Sequence, residues 1–117
     1  FHTGTPTSAL PFGVLAQARR FPGVNFILGH MGANDYVGDA FAAVNLSDNV
    51  YLETSLNLTT LIRTAAELRP DRVIYGSGSP RSSMEFELKK VLEAVPDETA
   101  REQILHRNLE RLLGGRV

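Results

Sequence analysis

Short runs of β-branched and aromatic residues alternate along the chain with longer stretches in which apolar residues recur at helical spacing. The strand-like runs cover residues 24–29, 50–54 and 72–76, and Phe1 and His2 have the character of the end of a further strand. This alternation is typical of βα units arranged around a parallel sheet. The hydrophobic pattern therefore predicts an α/β fold with parallel strands.

The stretches between the strands predict helices. Ser8 is a candidate N-cap of the first helix, with Pro11 in its first turn, and residues 21–23 close that helix. Further helices are predicted at three places along the chain: about 35–45, about 58–68 and about 98–106.

The clearest helical period follows the third strand-like run and predicts a helix with five apolar residues on its inward face: Met84, Leu88, Val91, Leu92 and Val95. Asp97 is a candidate cap for the next helix. An extra C-terminal helical turn then stops at Gly114 and Gly115, as a left-handed C-cap requires.

The strand ends fall near positions 2, 30, 54 and 77, one βα unit apart. Four such units are half of a (β/α)8 barrel, which typically takes about 250 residues. Half a barrel leaves two open sheet edges. We therefore expect residues 1–117 to form a single domain that is a fragment of a barrel, pairs with another copy, or forms an open doubly wound sheet. The alternative to a half-barrel is a small, complete α/β domain with three strands.

The composition of the chain limits the classes of partner and site that we expect. Twelve Lys and Arg residues against 13 Asp and Glu residues give a formal net charge of −1, so no basic surface is expected to hold nucleic acid or an anionic membrane. No apolar run approaches the ~20 residues of a membrane span. The chain has no cysteine, which excludes disulfides, thiolate metal sites and a Cys nucleophile. We expect a cytoplasmic protein with a small-molecule partner.

Candidate chemistry lies at the carboxyl ends of the strands, where α/β sheets place their sites. His2 and His30 are both there, each followed by glycine two residues later. A neutral imidazole can bind a divalent metal or exchange a proton near neutral pH. A mononuclear metal usually needs three protein ligands, however, and these are two. His106 is far from any strand end, so it is expected to be structural or to face solvent.

Glu53 is next to the end of the second strand-like run, and because side chains alternate, Glu53 and Thr54 point to opposite faces. Either Thr54 lines the interior of a barrel while Glu53 is under the helices, or the reverse. Buried carboxylates are usually paired, which favours a packing role for Glu53 beside an arginine. The candidate arginines are Arg63, Arg69 and Arg81.

Several motifs together carry a resemblance: His2-Thr-Gly, FPGVNFILGHMG (21–32), NVYLETS (49–55), RVIYGSGSP (72–80) and NLERLL (108–113). In this order they resemble the C-terminal half of an amidohydrolase-related TIM barrel. This branch includes metal-dependent hydrolases and the aminocarboxymuconate semialdehyde decarboxylase type. The resemblance implies that the chain supplies strands 5–8 of a (β/α)8 barrel, their helices and the extra C-terminal helical segment.

The resemblance also implies roles for individual residues. His2 corresponds to the family's metal ligand on the fifth strand. His30 corresponds to the sixth-strand histidine, which acts on substrate or water in mononuclear members and binds the second metal in binuclear members. The eighth-strand motif of the family ends Gly-Ser-Asp-x-Pro, and its Asp ligates the metal and takes a proton from water. Gly78 occupies that position here, so this chain lacks the carboxylate.

Three hypotheses follow. The first is a metal-dependent hydrolase or related decarboxylase that acts on a small organic substrate, with impaired chemistry because of Gly78. Its cofactor would be a divalent metal, Zn first and Mn as the alternative, with His2 and His30 as ligands and His30 also as a catalytic residue. The second is a catalytically inactive barrel that binds a ligand or a partner. The third is a half-barrel that forms a homo-oligomer through its open edges.

Overall fold

A parallel sheet in the order β1-β2-β3 organises the part of the chain that the computed structural model describes, residues 1–114. The strands are β1 (Phe26–Leu28), β2 (Val50–Glu53) and β3 (Val73–Ile74). Neighbouring strands run parallel, with Phe26 opposite Val50 and Leu52 opposite Val73. The predicted α/β fold with parallel strands is thus confirmed, although each strand is shorter than its hydrophobic run.

The helices lie where the periodicity predicts them, with small differences at their ends. Their bounds are α1 (Pro11–Arg20), α2 (Val37–Leu46), α3 (Thr59–Leu68), α4 (Met84–Ala94), α5 (Glu98–Glu102) and α6 (Asn108–Leu112). Within residues 1–114, each helix is too short or too polar to pass through a lipid bilayer.

The start of α1 differs from the prediction. Leu10, not Ser8, is the N-cap, and Pro11 is the first helical residue, where its missing N–H costs nothing. Ser8 instead closes a turn before the helix, because its hydroxyl donates to the Thr5 carbonyl at 3.1 Å and accepts from the Thr5 N–H at 3.2 Å. The predicted cap at Asp97 is confirmed, since Asp97 Oδ1 accepts from the Ala100 N–H at 2.7 Å.

The inward face of α4 was predicted only in part. Val91 and Val95 are buried, but Met84 is 61% exposed and Leu92 is 45% exposed. Glu87 is buried instead. Its carboxylate lies 2.6 Å from Lys90 Nζ and accepts from the Ser82 hydroxyl at 2.8 Å, and this pairing allows a charged residue on the inner face.

The core lies between the sheet and the helices that pack on it. Side chains from all three strands and from α3, α4 and the C-terminal segment are fully buried there, among them Leu28, Leu52, Ile62, Val73, Val91 and Ile104. The packing holds the carboxyl ends of the strands in fixed relative positions.

The C-terminal helix is interrupted. The predicted helix over about 98–106 is α5 followed by a π-helical turn at Gln103–Arg107, which leads directly into α6. Gly114 has a φ of 65°, the left-handed conformation expected after the last turn, and Gly115 lies outside the described residues.

This interruption lets the C-terminal segment cover the outer edge of β3. The Ile74 carbonyl faces β2, where it accepts from Thr54, so the polar groups of Val73 and Tyr75 face away from the sheet. The Tyr75 N–H donates to the Ile104 carbonyl at 2.9 Å, and the buried Asn108 side chain donates to the Val73 carbonyl at 2.7 Å. Within the described residues, the outer edge of β3 is therefore covered in part, at the Val73 carbonyl and the Tyr75 N–H.

Asn108→Ala should lower the free energy of unfolding by about 2 kcal/mol, because it removes the donor of one buried and one partly buried carbonyl. Asn108 Nδ2 donates to Pro70 O and to Val73 O, both at 2.7 Å. Urea unfolding of both proteins measures the change. Asn45→Ala is the matched control, since Asn45 is exposed on α2 and should change stability by less than about 0.5 kcal/mol. Equal effects of the two substitutions would contradict a bonding role for Asn108.

Candidate active site at the strand ends

The two histidines that the sequence singles out lie in contact at the carboxyl ends of neighbouring strands. His2 Nδ1 and His30 Nε2 are 3.0 Å apart, and the rings meet edge to face with their centroids separated by 4.5 Å. His30 is 17% exposed, so it opens to solvent only in part. The fold thus brings together two nitrogen donors that are 28 residues apart in sequence.

The N-terminal residues place His2 by pairing with the end of β1. The Gly29 N–H donates to the Phe1 carbonyl at 2.7 Å, and the Thr3 N–H donates to the Gly29 carbonyl at 3.2 Å. The buried Thr3 hydroxyl adds a bond to the Gly29 carbonyl and accepts from the Gly32 N–H at 2.9 Å. His2 therefore has fixed neighbours on both sides.

His30 has a left-handed backbone, with a φ of 66°, which is uncommon for a residue with a side chain. Both of its peptide groups are held by side chains that follow β2. Its N–H donates to Glu53 Oε2 at 3.0 Å, and its carbonyl accepts from Asn57 Nδ2 at 2.7 Å. The ring is held as well, because Nδ1 lies 2.8 Å from Ser55 Oγ.

Glu53 contacts His30 and pairs with no arginine among residues 1–114, so the predicted packing role beside Arg63, Arg69 or Arg81 is wrong. Its carboxylate accepts from the Ser55 N–H at 2.6 Å and from the Ser55 hydroxyl at 2.8 Å, in addition to His30. Strand alternation turns Thr54 the other way, into the buried interior. Glu53 is thus a partly buried acceptor whose partners are mostly backbone and hydroxyl groups.

Two of the candidate arginines have other partners, and the third, Arg81, is exposed. Arg69 lies 3.1 Å from Asp71, and their hydrogen bond holds the pKa of the Asp71 carboxyl below its usual range. Arg63 Nε donates to the Ala94 carbonyl at 3.4 Å. Position in the sequence could not exclude these arginines, because the face to which Glu53 points depends on the local twist at the end of β2.

Two residues that hold His30 were not predicted as site residues from the sequence. Ser55 ends the Glu-Thr-Ser stretch at the end of the second predicted strand, and Asn57 lies just beyond it. Both are buried. Alternation from Glu53 could have found Ser55, but the chain turns at Leu56, which has a φ of 61°, so spacing gives no signal for Asn57.

Gly78 lies beside this network, at the position where the resemblance expects an aspartate. It has a φ of 61°, and a Cβ atom added there would be 3.4 Å from Ser55 Oγ and 3.3 Å from Ser55 Cβ. A side chain at position 78 would thus start next to the group that holds His30. Tyr75, the residue after β3, has its pKa raised by burial and then by the Glu87 and Glu53 carboxylates, so it stays protonated.

His106 lies in the π-helical turn and faces solvent, as expected. Its side chain is 49% exposed and lies 3.6 Å from Glu102 and 3.6 Å from Glu110, one helical turn away on either side. The pair at the strand ends therefore consists of His2 and His30.

These two imidazoles fit part of a divalent metal site. Their nitrogens are close enough for one cation to reach both, and Ser55 and Glu53 fix the orientation of His30 as outer partners of metal-bound histidines do. Among residues 1–114, however, no group of three His, Asp or Glu side chains could hold a metal ion. A site with three protein ligands would need one from outside these residues.

The chain is similar to a known protein family and to solved structures. The family described as amidohydrolase matches residues 2–115. An uncharacterized TIM-barrel protein from Bordetella bronchiseptica has a similar structure, with a TM-score of 0.80 and 23% identity over 97% of this chain. The chain covers 44% of that protein, so it has the fold of part of a TIM barrel and spans less than half the length of this relative.

Two decarboxylases have similar structures. One is 2,6-dihydroxybenzoate decarboxylase from Rhizobium, with a TM-score of 0.65 and 22% identity over 94% of this chain and 43% of that one. The other is a dihydroxybenzoic acid decarboxylase from Polaromonas sp. JS666, solved with manganese and the inhibitor 2-nitroresorcinol; its TM-score is 0.65 and its identity 19%, over 94% of this chain and 42% of that one. No curated protein matches the sequence. Because the family match spans residues 2–115, the chain belongs to the amidohydrolase family.

Proposed function

We propose that the protein is a metal-dependent hydrolase, or a related decarboxylase, of the amidohydrolase superfamily that acts on a small organic substrate. The observation that carries the proposal is the contact between His2 and His30 at the strand ends of a chain in this family. The structural neighbours that decarboxylate hydroxylated benzoates favour the decarboxylase branch. In this proposal residues 1–117 supply strands 5–8 of the barrel and the helices that follow them.

His2 and His30 would hold the metal, with zinc as the first choice and manganese as the alternative. A divalent cation at such a site polarises a substrate oxygen and lowers the pKa of a bound water from about 16 toward 7. His30 would also steady developing negative charge on the substrate or carry a proton, a role typically worth about 10²-fold to 10⁴-fold in rate. The bonds from Ser55, Glu53 and Asn57 keep its ring in place for this role.

A catalytically inactive barrel that binds a ligand or partner is the second candidate, and Gly78 favours it. A hydrogen side chain cannot coordinate a cation or accept a proton, and the neighbouring Ser77 and Ser79 hydroxyls are poor bases at neutral pH. Metal analysis of the full-length wild-type protein separates the candidates. Stoichiometric zinc or manganese supports the enzyme, and its absence supports the binding protein.

Gly78→Asp in the full-length protein should raise both metal content and turnover, because it returns a carboxylate beside Ser55 and His30. Aspartate tolerates the left-handed backbone better than most residues, and the contacts of 3.3 and 3.4 Å to Ser55 require only a small adjustment. Metal content and hydrolysis or decarboxylation are measured on ester, amide and carboxylated aromatic substrates.

Gly78→Asn is the matched control, since it has nearly the same shape and backbone tolerance but no charge. A gain with Asp and none with Asn supports a lost ligand. If neither variant gains metal or activity, the binding protein becomes the better description.

A further inference from the structure

We propose that Glu53, Ser55 and Asn57 are positioning residues that lock His30, and that they direct the hydrogen bonds from His2 through His30 to Ser55 and Glu53. In this arrangement both imidazoles carry their proton on Nδ1. In the metal-free protein His2 Nε2 is then the ring nitrogen of the pair that keeps a free lone pair. The importance of the two histidines rests on the proposed function, but the direction of the bonds rests on geometry alone.

The direction follows from the single hydrogen of the Ser55 hydroxyl. Ser55 Oγ lies 2.8 Å from Glu53 Oε2 and 2.8 Å from His30 Nδ1. If the hydroxyl donated to His30, its oxygen would face the carboxylate with no proton between them, which is repulsive. If it donates to Glu53, then His30 Nδ1–H donates to Ser55, and each contact contains one proton. The second arrangement satisfies every group.

The same reasoning determines which ring nitrogen of His2 carries the proton. With its proton on Nδ1, the neutral ring of His30 has an acceptor at Nε2. His2 Nδ1 is 3.0 Å from that atom and must therefore be the donor. In the metal-free protein His30 Nε2 is therefore the acceptor of the His2 proton.

The backbone of His30 needs its own support, because a left-handed residue with a side chain costs about 1 kcal/mol or more. Glu53 holds its N–H and the 2% exposed Asn57 holds its carbonyl. Asn57 is held in turn, since its own carbonyl accepts from Lys90 Nζ at 2.7 Å and Lys90 pairs with buried Glu87. The support for His30 thus extends from β2 to α4.

Long-range ¹H–¹⁵N NMR of the histidine side chains tests the direction in metal-free, full-length protein in mildly alkaline buffer. Signals are assigned by their loss in His2→Gln and His30→Gln variants. We expect both histidines as the Nδ1–H tautomer, although Nε2–H is favoured for free neutral histidine. A wild-type His30 that carries its proton on Nε2 would overturn the proposal.

Ser55→Ala should convert His30 mainly to the Nε2–H tautomer, because it removes the acceptor for Nδ1–H. Ser79→Ala is the matched control: Ser79 is exposed at the same strand ends and should leave both tautomers unchanged. Persistence of Nδ1–H in Ser55→Ala would show that Ser55 does not direct the bonds, and it would overturn the proposal.

The role of Asn57 is tested by Asn57→Asp, which keeps the shape but replaces two donors by an acceptor. We expect the His30 and His2 signals to lose their fixed tautomers, whereas Asn45→Asp at an exposed position leaves them unchanged. Unaltered tautomers in Asn57→Asp would remove Asn57 from the set of positioning residues. Because these measurements need neither metal nor turnover, failure of the proposed function would leave their outcome untouched.

Discussion

Gly4→Ala should lower the free energy of unfolding by about 4 kcal/mol, the sum of backbone strain and overpacking. Gly4 has a φ of 104°, which residues with a side chain rarely adopt. An added Cβ would lie 2.5 Å from the Gly32 carbonyl carbon and 2.5 Å from Ala33 Cβ, so backbone would have to move. Urea unfolding measures the loss, and His2 should separate from His30 because Thr3 and Gly4 hold it there.

Gly13→Ala is the control for this experiment. Gly13 lies in α1, and a Cβ there would meet no atom within 4 Å. Alanine should therefore stabilise the protein by about 0.5 to 1 kcal/mol through helix propensity. A Gly4→Ala protein as stable as the wild type would show that the close approach of Gly4 to residues 32 and 33 is wrong.

Gly76→Ala should also lower the free energy of unfolding by about 4 kcal/mol, in this case because it displaces the Glu53 carboxylate at the candidate site. An added Cβ would overlap Glu53 Oε1 and lie 2.5 Å from Glu53 Cδ. The carboxylate must then move away from its three donors, which are Ser55 N, Ser55 Oγ and His30 N. Hydrogen bonds to a charged group contribute about 1.5 to 3 kcal/mol each, and part of that is recovered in the new position.

Thermal or urea unfolding measures this loss, and histidine NMR shows its local effect as a changed His30 environment. Gly38→Ala is the control, because Gly38 lies in α2 and a Cβ there would meet no atom within 4 Å. If Gly76→Ala leaves both stability and the His30 signal intact, Glu53 is not packed on Gly76 as described.

Much of the fold could be predicted because its signals are local. Alternation of strand-like and helical runs indicates a parallel sheet, and the cap at Asp97 is a short-range interaction. The inward face of α4 was less predictable. Glu87 can be buried because it pairs with Lys90 and Ser82, and residue propensities carry no information about such a pairing. The π-helical turn at Gln103–Arg107 depends on bonds to β3 and likewise has no local signal.

The candidate site shows the same division. His2 and His30 could be found because strand ends are where α/β folds place chemistry, and Gly78 because the family resemblance expects an aspartate at that position. The predicted arginine partner of Glu53 was wrong, because tertiary packing at the end of β2 sets the direction of the Glu53 side chain. The roles of Ser55 and Asn57 depend on the left-handed turn at His30, and a non-glycine residue in that conformation cannot be read from residue type.

The C-terminal cover of β3 has a further consequence for solubility. An uncovered strand edge is a template for self-association, and natural proteins block such edges. Ile104 and Asn108 occupy two of the hydrogen-bonding groups that another chain would need at β3, the Tyr75 N–H and the Val73 carbonyl. Proteolysis in the π-helical turn would therefore do more than shorten the molecule, because it would open a route to aggregation.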